Sequence, residues 1–89
     1  MIIRRRVRVT GQVQGVGYRF TCEREARSWR VAGWVTNCDD GSVEAVFEGS
    51  RDAVTSMIDW CRRGPTHARV AHVEVTEEDA TGDSGFAVV

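Results

Sequence analysis

The spacing of apolar residues changes along this chain of 89 residues, and the order of the changes restricts its fold more than any other feature. Apolar residues at every second position predict strands, and apolar residues every three or four positions predict helices. Along the chain these signals give a strand, a helix, two strands joined by a turn, a second helix and a further strand. The β-α-β-β-α-β order is that of the ferredoxin-like unit. We therefore predict an α+β fold, a ferredoxin-like βαββαβ sandwich with an antiparallel sheet and two helices on one face.

The strand signals are short and bounded by turn residues. The predicted strands are residues 3–10, 31–38, 42–49 and 68–76, with a short last strand at 86–89. The second and third strands are joined by Asp39-Asp40-Gly41, a sequence typical of tight hairpins because it tolerates positive φ angles. In the fourth strand we expect Ala71, Val73 and Val75 to face the core.

Two apolar stripes at helical spacing predict the helices. The first runs from about Tyr18 to Arg30, with its stripe at Tyr18, Cys22, Ala26 and Trp29. The second follows Ser50, which suits an N-cap, and ends at Gly64-Pro65. Its stripe is Val54, Met57, Ile58 and Cys61.

Composition excludes several classes of function. All 12 basic residues are arginine, so an enzyme with a Schiff-base lysine and a GxxxxGK[ST] phosphate loop are both ruled out. Three cysteines without a CxxC pair argue against a disulfide framework and against zinc. No apolar run approaches the roughly 18 residues of a membrane span, and no signal peptide is recognisable. We expect one cytoplasmic, monomeric domain over residues 1–89, with no membrane partner, no metal and no cofactor.

Four arginines crowd the first strand: Arg4, Arg5, Arg6 and Arg8. RNA-recognition modules share this fold, but they stack bases on aromatic residues of the open sheet face, and we predict no clear aromatic there. The first strand should lie between the third and fourth, so its arginines should face glutamates across the sheet. The expected partners are Glu44, Glu48 and Glu74. Together with a net charge of −1, this favours a face of ion pairs over a nucleic-acid partner.

The segment GQVQGVGYR, residues 11–19, joins the first strand to the first helix. Its three glycines exceed the need of one tight turn, although a plain connection could contain them. The loop leads into a helix N-terminus, where unpaired N–H groups and the helix dipole favour an anion. Arg19 lies in that first turn, against the preference of the dipole, and a bound anion would resolve the conflict. The residues alone therefore favour an anion site.

Asn37, the one asparagine of the chain, falls at the end of the second strand. Asparagine is uncommon within strands, so its presence at this position suggests a specific role. The side chain could support the following turn, or its amide could hold a water, since it both donates and accepts hydrogen bonds. The residue taken alone leaves these two readings open.

Three stretches match the signatures of one family. GQVQGVGYR matches a GxVQGVxFR-like signature, GWVTNCDDGSVE (residues 33–44) matches one with the core GxVxNxxDGxV, and GPTHARVAHV (residues 64–73) matches a third. By these stretches the chain resembles the acylphosphatase family over nearly its whole length. The resemblance implies the fold predicted above and hydrolysis of a small-molecule acyl phosphate to a carboxylate and inorganic phosphate. It also implies that Arg19 and Asn37 are the catalytic residues.

The resemblance also implies which groups of the chain bind the phosphate of the substrate. They are the backbone N–H groups of Gln14, Gly15, Val16, Gly17, Tyr18 and Arg19, together with the Arg19 guanidinium, while Asn37 orients a water. Two alternatives are a nucleic-acid-binding domain and a carrier-linked acylphosphatase-like module of a larger carbamoyl-transfer maturation protein. The length of the chain favours a free-standing enzyme over the second alternative.

Overall fold

A computed structural model describes all 89 residues as five strands and two helices. In chain order these are β1 (Ile2–Gln12), α1 (Tyr18–Ser28), β2 (Ala32–Asn37), β3 (Val43–Ser50), α2 (Arg51–Arg63), β4 (Arg69–Glu78) and β5 (Phe86–Val88). The order across the sheet is β4-β1-β3-β2-β5, so β1 lies between β3 and β4 as predicted. The ferredoxin-like α+β fold is confirmed. The short β5 pairs in parallel with β2, which makes the sheet mixed.

The core lies between the sheet and the two helices, neither of which has the length and apolarity to cross a bilayer. The predicted stripe of α2 is largely confirmed, and Trp60 joins it, with its ring centroid 5.0 Å from that of Tyr18. The predicted place of Trp29 in the α1 stripe is wrong. The helix ends at Ser28, and Trp29 remains 46% exposed because Arg30 takes a positive φ of 57° and turns the chain towards β2.

The inward face of β4 also differs from the prediction. A bulge places Ala71 as an extra residue opposite the Thr10–Gly11 step of β1, which shifts the alternation by one position. Val70 therefore packs against the core, whereas Ala71 is exposed. Gly11 makes this close approach possible, since a Cβ there would stand 2.2 Å from the carbonyl oxygen of Arg69.

The open face of the sheet carries the expected ion pairs, with one change of partner. Arg4 pairs with the buried Glu48, and both Arg6 and Arg8 pair with Glu44. Glu74 was expected to pair with these arginines, but Glu78 does so instead, with Arg4 and Arg6. These pairs use most of the positive charge on this face.

Glu48 also holds the segment that leads to β5. Its carboxylate accepts hydrogen bonds from the N–H groups of Thr81, Gly82 and Asp83, which fold over the open face. The Thr81 N–H is the largest cause that lowers the pKa of Glu48, with Arg4 adding to it. The open face does contain an aromatic residue, contrary to the prediction. It is Trp34, but the Arg6 guanidinium covers its ring at 5.4 Å.

Candidate active site

The loop between β1 and α1 presents backbone donors that the protein itself does not use. Gly15 and Gly17 have φ angles of 76° and 79°, the left-handed region that favours glycine. A Cβ at either position would meet nothing within 4 Å, so the backbone conformation rather than space requires glycine. The N–H groups of residues 14–17 donate to no other group of the protein. Four adjacent donors are therefore available to a ligand.

The N-terminus of α1 lacks the stabilising groups found at the start of α2. The N-cap of α1 is Gly17, which offers no side-chain acceptor, and no acidic residue lies in the first turn. In α2 the Ser50 hydroxyl accepts a hydrogen bond from the Ala53 N–H, and Asp52 lies in the first turn. The positive end of α1 is thus uncompensated and suited to an anion.

Arg19 differs from the other arginines in how it is placed. It is half-buried in the first turn of α1 and makes neither an ion pair nor a side-chain hydrogen bond. The other arginines without a carboxylate partner are all exposed: Arg24, Arg30, Arg51, Arg62, Arg63 and Arg69. A partly dehydrated guanidinium without a partner is available to bind a planar pair of anionic oxygens.

Asn37 lies at the end of β2, opposite Val43 of β3. Its Oδ1 atom is buried and accepts no hydrogen bond. The following turn is held by Asp40, whose carboxylate accepts from the N–H and the hydroxyl of Ser42 at 2.9 and 2.6 Å. Since Asn37 does not support the turn, its unsatisfied acceptor needs another partner.

One cavity joins these features. It measures about 150 Å³ and is lined by Val13, Gly15, Gly17, Tyr18, Arg19, Phe20 and Asn37. A volume of this order, with a polar lining, admits a small anion such as phosphate. The structure therefore brings Arg19 and Asn37 together with Gly15, Gly17 and Tyr18. Of the predicted phosphate-binding residues, Gln14 and Val16 do not line the cavity.

Gln14 has a role that the sequence pattern did not indicate. Its side-chain amide donates hydrogen bonds to the carbonyl oxygens of Cys38 and Ser42, at 2.8 and 2.9 Å. These two residues begin and end the β2–β3 turn, directly after Asn37. The Gln14 side chain thus ties the loop before α1 to the strand end that carries Asn37.

Tyr18 fixes the start of α1 from the opposite side. Its hydroxyl donates a hydrogen bond of 2.8 Å to the carbonyl oxygen of Cys61 in the last turn of α2. The residue four positions later, Pro65, has no N–H, so this carbonyl lacks its usual helical donor. Burial of the ring raises the pKa of Tyr18 far above its ordinary value, and the hydroxyl stays a donor.

Fold and cavity together define a class: a ferredoxin-like α+β domain with a small polar cavity between its β1–α1 loop and the end of β2. The sequence profile of the acylphosphatase family matches residues 5–88. The acylphosphatase of Roseiflexus sp. (strain RS-1) is 49% identical over 87 residues, which cover 97% of this chain and 94% of that relative.

Solved structures agree with the sequence comparison. The crystal structure of an acylphosphatase from Bacillus subtilis superposes with a TM-score of 0.94 at 38% identity, covering 100% of this chain and 99% of the other. An acylphosphatase from Coxiella burnetii gives 0.95 at 34% identity, covering 99% and 93%. The chain belongs to the acylphosphatase family, whose members hydrolyse acyl phosphates. The predicted resemblance and enzyme class are confirmed.

Proposed function

We propose that this chain hydrolyses acyl phosphates in the cavity between the β1–α1 loop and β2, with Arg19 and Asn37 as catalytic residues. One observation carries the proposal. A single cavity joins an unpaired guanidinium, loop N–H groups without partners and a buried acceptor without a donor. Each group lacks a partner within the protein, and a phosphate with an attacking water satisfies all three.

In the proposed complex the phosphate is held by backbone dipoles and by one arginine. The N–H groups of the loop residues that line the cavity, Gly15 and Gly17, and those of Tyr18 and Arg19 donate to its oxygens, and the Arg19 guanidinium donates two parallel hydrogen bonds to the same group. The planar fork of arginine matches two oxygens at once, which the point charge of lysine does not. These donors neutralise charge where a loose phosphoryl-transfer transition state concentrates it.

The leaving group explains why no general acid is required. Breaking the bond between phosphorus and the acyl oxygen releases a carboxylate whose conjugate acid has a pKa of about 4 to 5, judged by Asp and Glu side chains. Such a group departs as an anion without accepting a proton. No cluster of three or more His, Cys, Asp or Glu side chains is present that could hold a metal ion.

Asn37 positions the nucleophile in this scheme. Its buried Oδ1 accepts a hydrogen bond from a water and directs the water oxygen towards phosphorus, in line with the bond that breaks. The new bond joins the water oxygen to phosphorus, and the water proton passes to a phosphate oxygen of the substrate. The products are a carboxylate and inorganic phosphate.

We also propose that residues 1–89 act as a single monomeric domain in the cytoplasm. One chain supplies every residue that lines the cavity, so a second copy is not needed to complete it. Cys22 and Cys61 are buried free thiols, which suits a reducing compartment.

The test is phosphate release from an acyl phosphate, with EDTA present, by the wild-type protein and single variants. Arg19→Ala should abolish activity and most binding of inorganic phosphate. Asn37→Ala should lower kcat by on the order of 10²–10³, the effect of losing one positioning group, and leave phosphate binding nearly intact. Arg24→Ala, an exposed arginine on the same helix, and Thr36→Ala, beside Asn37, serve as matched controls and should retain wild-type rates.

Normal turnover by Arg19→Ala would show that the site is assigned wrongly. A salt-dependent shift with RNA, without phosphate release from the acyl phosphate, would favour the nucleic-acid alternative. A chain that binds phosphate but leaves acyl phosphates intact would favour the carrier-linked alternative.

A further inference from the structure

Phe20 lines the cavity but has no role in the proposed mechanism. It follows Arg19 in the first turn of α1, and it is 66% exposed. The other apolar residues of the cavity, Val13 and Tyr18, are almost wholly buried and belong to the core. Phe20 is therefore the only large apolar lining residue that a molecule extending out of the cavity can cover.

The charges around the cavity limit what the rest of a substrate can gain there. Arg19 is the only charged residue among the seven that line it, and the proposed phosphate occupies its guanidinium. A carboxylate or second phosphate on the acyl group would find no further cation in the lining. An apolar acyl group, in contrast, would find the exposed ring of Phe20.

We propose that Phe20 is a specificity-determining residue that favours acyl phosphates with an aromatic or other apolar acyl group. The inference rests on the proposed function, since it requires the phosphate to occupy the cavity. A cavity of about 150 Å³ holds the phosphate and leaves the acyl group at its mouth, among the exposed residues. Contact with the ring removes apolar surface from water and permits offset stacking when the acyl group is aromatic.

The test compares two substrates that share the phosphate and the anhydride bond and differ only in the acyl group. Rates of hydrolysis of benzoyl phosphate and acetyl phosphate are measured for the wild type, Phe20→Ala, Phe20→Tyr and Trp29→Ala. Phe20→Ala should lower kcat/KM for benzoyl phosphate by about 3- to 10-fold, mainly through KM, in keeping with the loss of one aromatic contact. The rate with acetyl phosphate and the inhibition constant of inorganic phosphate should not change.

The other variants separate the contact from general effects. Phe20→Tyr keeps the ring and should keep the preference for benzoyl phosphate. Trp29→Ala removes an exposed aromatic residue at the far end of the same helix, outside the cavity, and should leave both substrates unaffected. An unchanged ratio of the two rates in Phe20→Ala would overturn the inference while the function stands. Failure of the wild type to cleave either substrate would overturn the proposed function and this inference with it.

Discussion

Replacing Gln14 tests whether the β1–α1 loop and Asn37 work as one unit. The Gln14 amide donates to the carbonyl oxygens of Cys38 and Ser42, and each of these keeps another donor. The Cys38 oxygen also accepts from Gly41 at 3.1 Å, and the Ser42 oxygen accepts from the Cys38 N–H at 2.8 Å. Gln14→Ala therefore removes two neutral hydrogen bonds without leaving an unpaired carbonyl. At about 0.5–1.5 kcal/mol each, the free energy of unfolding should fall by about 1–3 kcal/mol.

The effect on catalysis should exceed the effect on binding. The loop donors and Arg19 remain in Gln14→Ala, so the inhibition constant of inorganic phosphate should rise less than about threefold, while a misplaced water should lower kcat by about 10- to 100-fold. Gln14→Glu should be worse on both measures, because it directs a negative charge at two carbonyl oxygens beside the proposed anion site. Gln12→Ala, at the exposed end of β1, is the control.

Steady-state kinetics with phosphate inhibition and urea unfolding of the same variants give these quantities. A folded Gln14→Ala protein with wild-type kcat would refute the coupling between the loop and Asn37. Equal behaviour of Gln14→Ala and Gln14→Glu would refute the role of the amide as a donor to the two carbonyls.

Three further variants test other parts of the structure. Tyr18→Phe should lower the free energy of unfolding by about 1–2 kcal/mol, because it leaves the Cys61 carbonyl without a donor. It should keep wild-type kcat, because the proposed complex uses only the backbone N–H at this position. Gly17→Ala should destabilise by about 1–2 kcal/mol through its left-handed φ, since space for a Cβ is free. Glu48→Gln should destabilise by about 2 kcal/mol at neutral pH, where the carboxylate holds Arg4.

The contribution of Glu48 to the free energy of unfolding should depend on pH. Its pKa is lowered in the folded protein, so its contribution is complete above the ordinary value of about 4.3 and is lost as pH falls through the lowered pKa. The free energy of unfolding of Glu48→Gln should therefore fall less steeply than that of the wild type below about pH 4.3. Parallel curves for the two proteins would contradict this account, as would a loss of kcat in Tyr18→Phe.

The elements and an anion site near Arg19 could be predicted from local signals in the sequence, whereas the catalytic roles of Arg19 and Asn37 came from the resemblance of three stretches to one family. Apolar spacing distinguishes strand from helix within one segment, without knowledge of neighbours. Arg19 and Asn37 stood out because each opposes its local preference, one as a cation at a helix N-terminus and one as an asparagine at a strand end. A residue in conflict with its surroundings can be noticed before the fold is known.

The remaining features depend on contacts between distant parts of the chain. Gln14 meets carbonyls 24 and 28 positions away, and nothing in its own segment indicates them. The exposed position of Ala71 follows from a bulge opposite Gly11, a residue on another strand. The choice of Glu78 over Glu74 depends on how the side chains of Arg4 and Arg6 reach across the sheet.

We propose above all that the backbone donors before α1, with one guanidinium, hold the phosphate. The most direct measurement is a titration of the ¹⁵N-labelled protein with inorganic phosphate, observed through its amide NMR signals. Saturable shifts are expected at residues 14–19 in the wild type, and these shifts should be lost in Arg19→Ala. Shifts centred on another arginine-lined surface, such as the cleft of about 360 Å³ beside Arg27 and Arg30, with residues 14–19 unmoved, would contradict it.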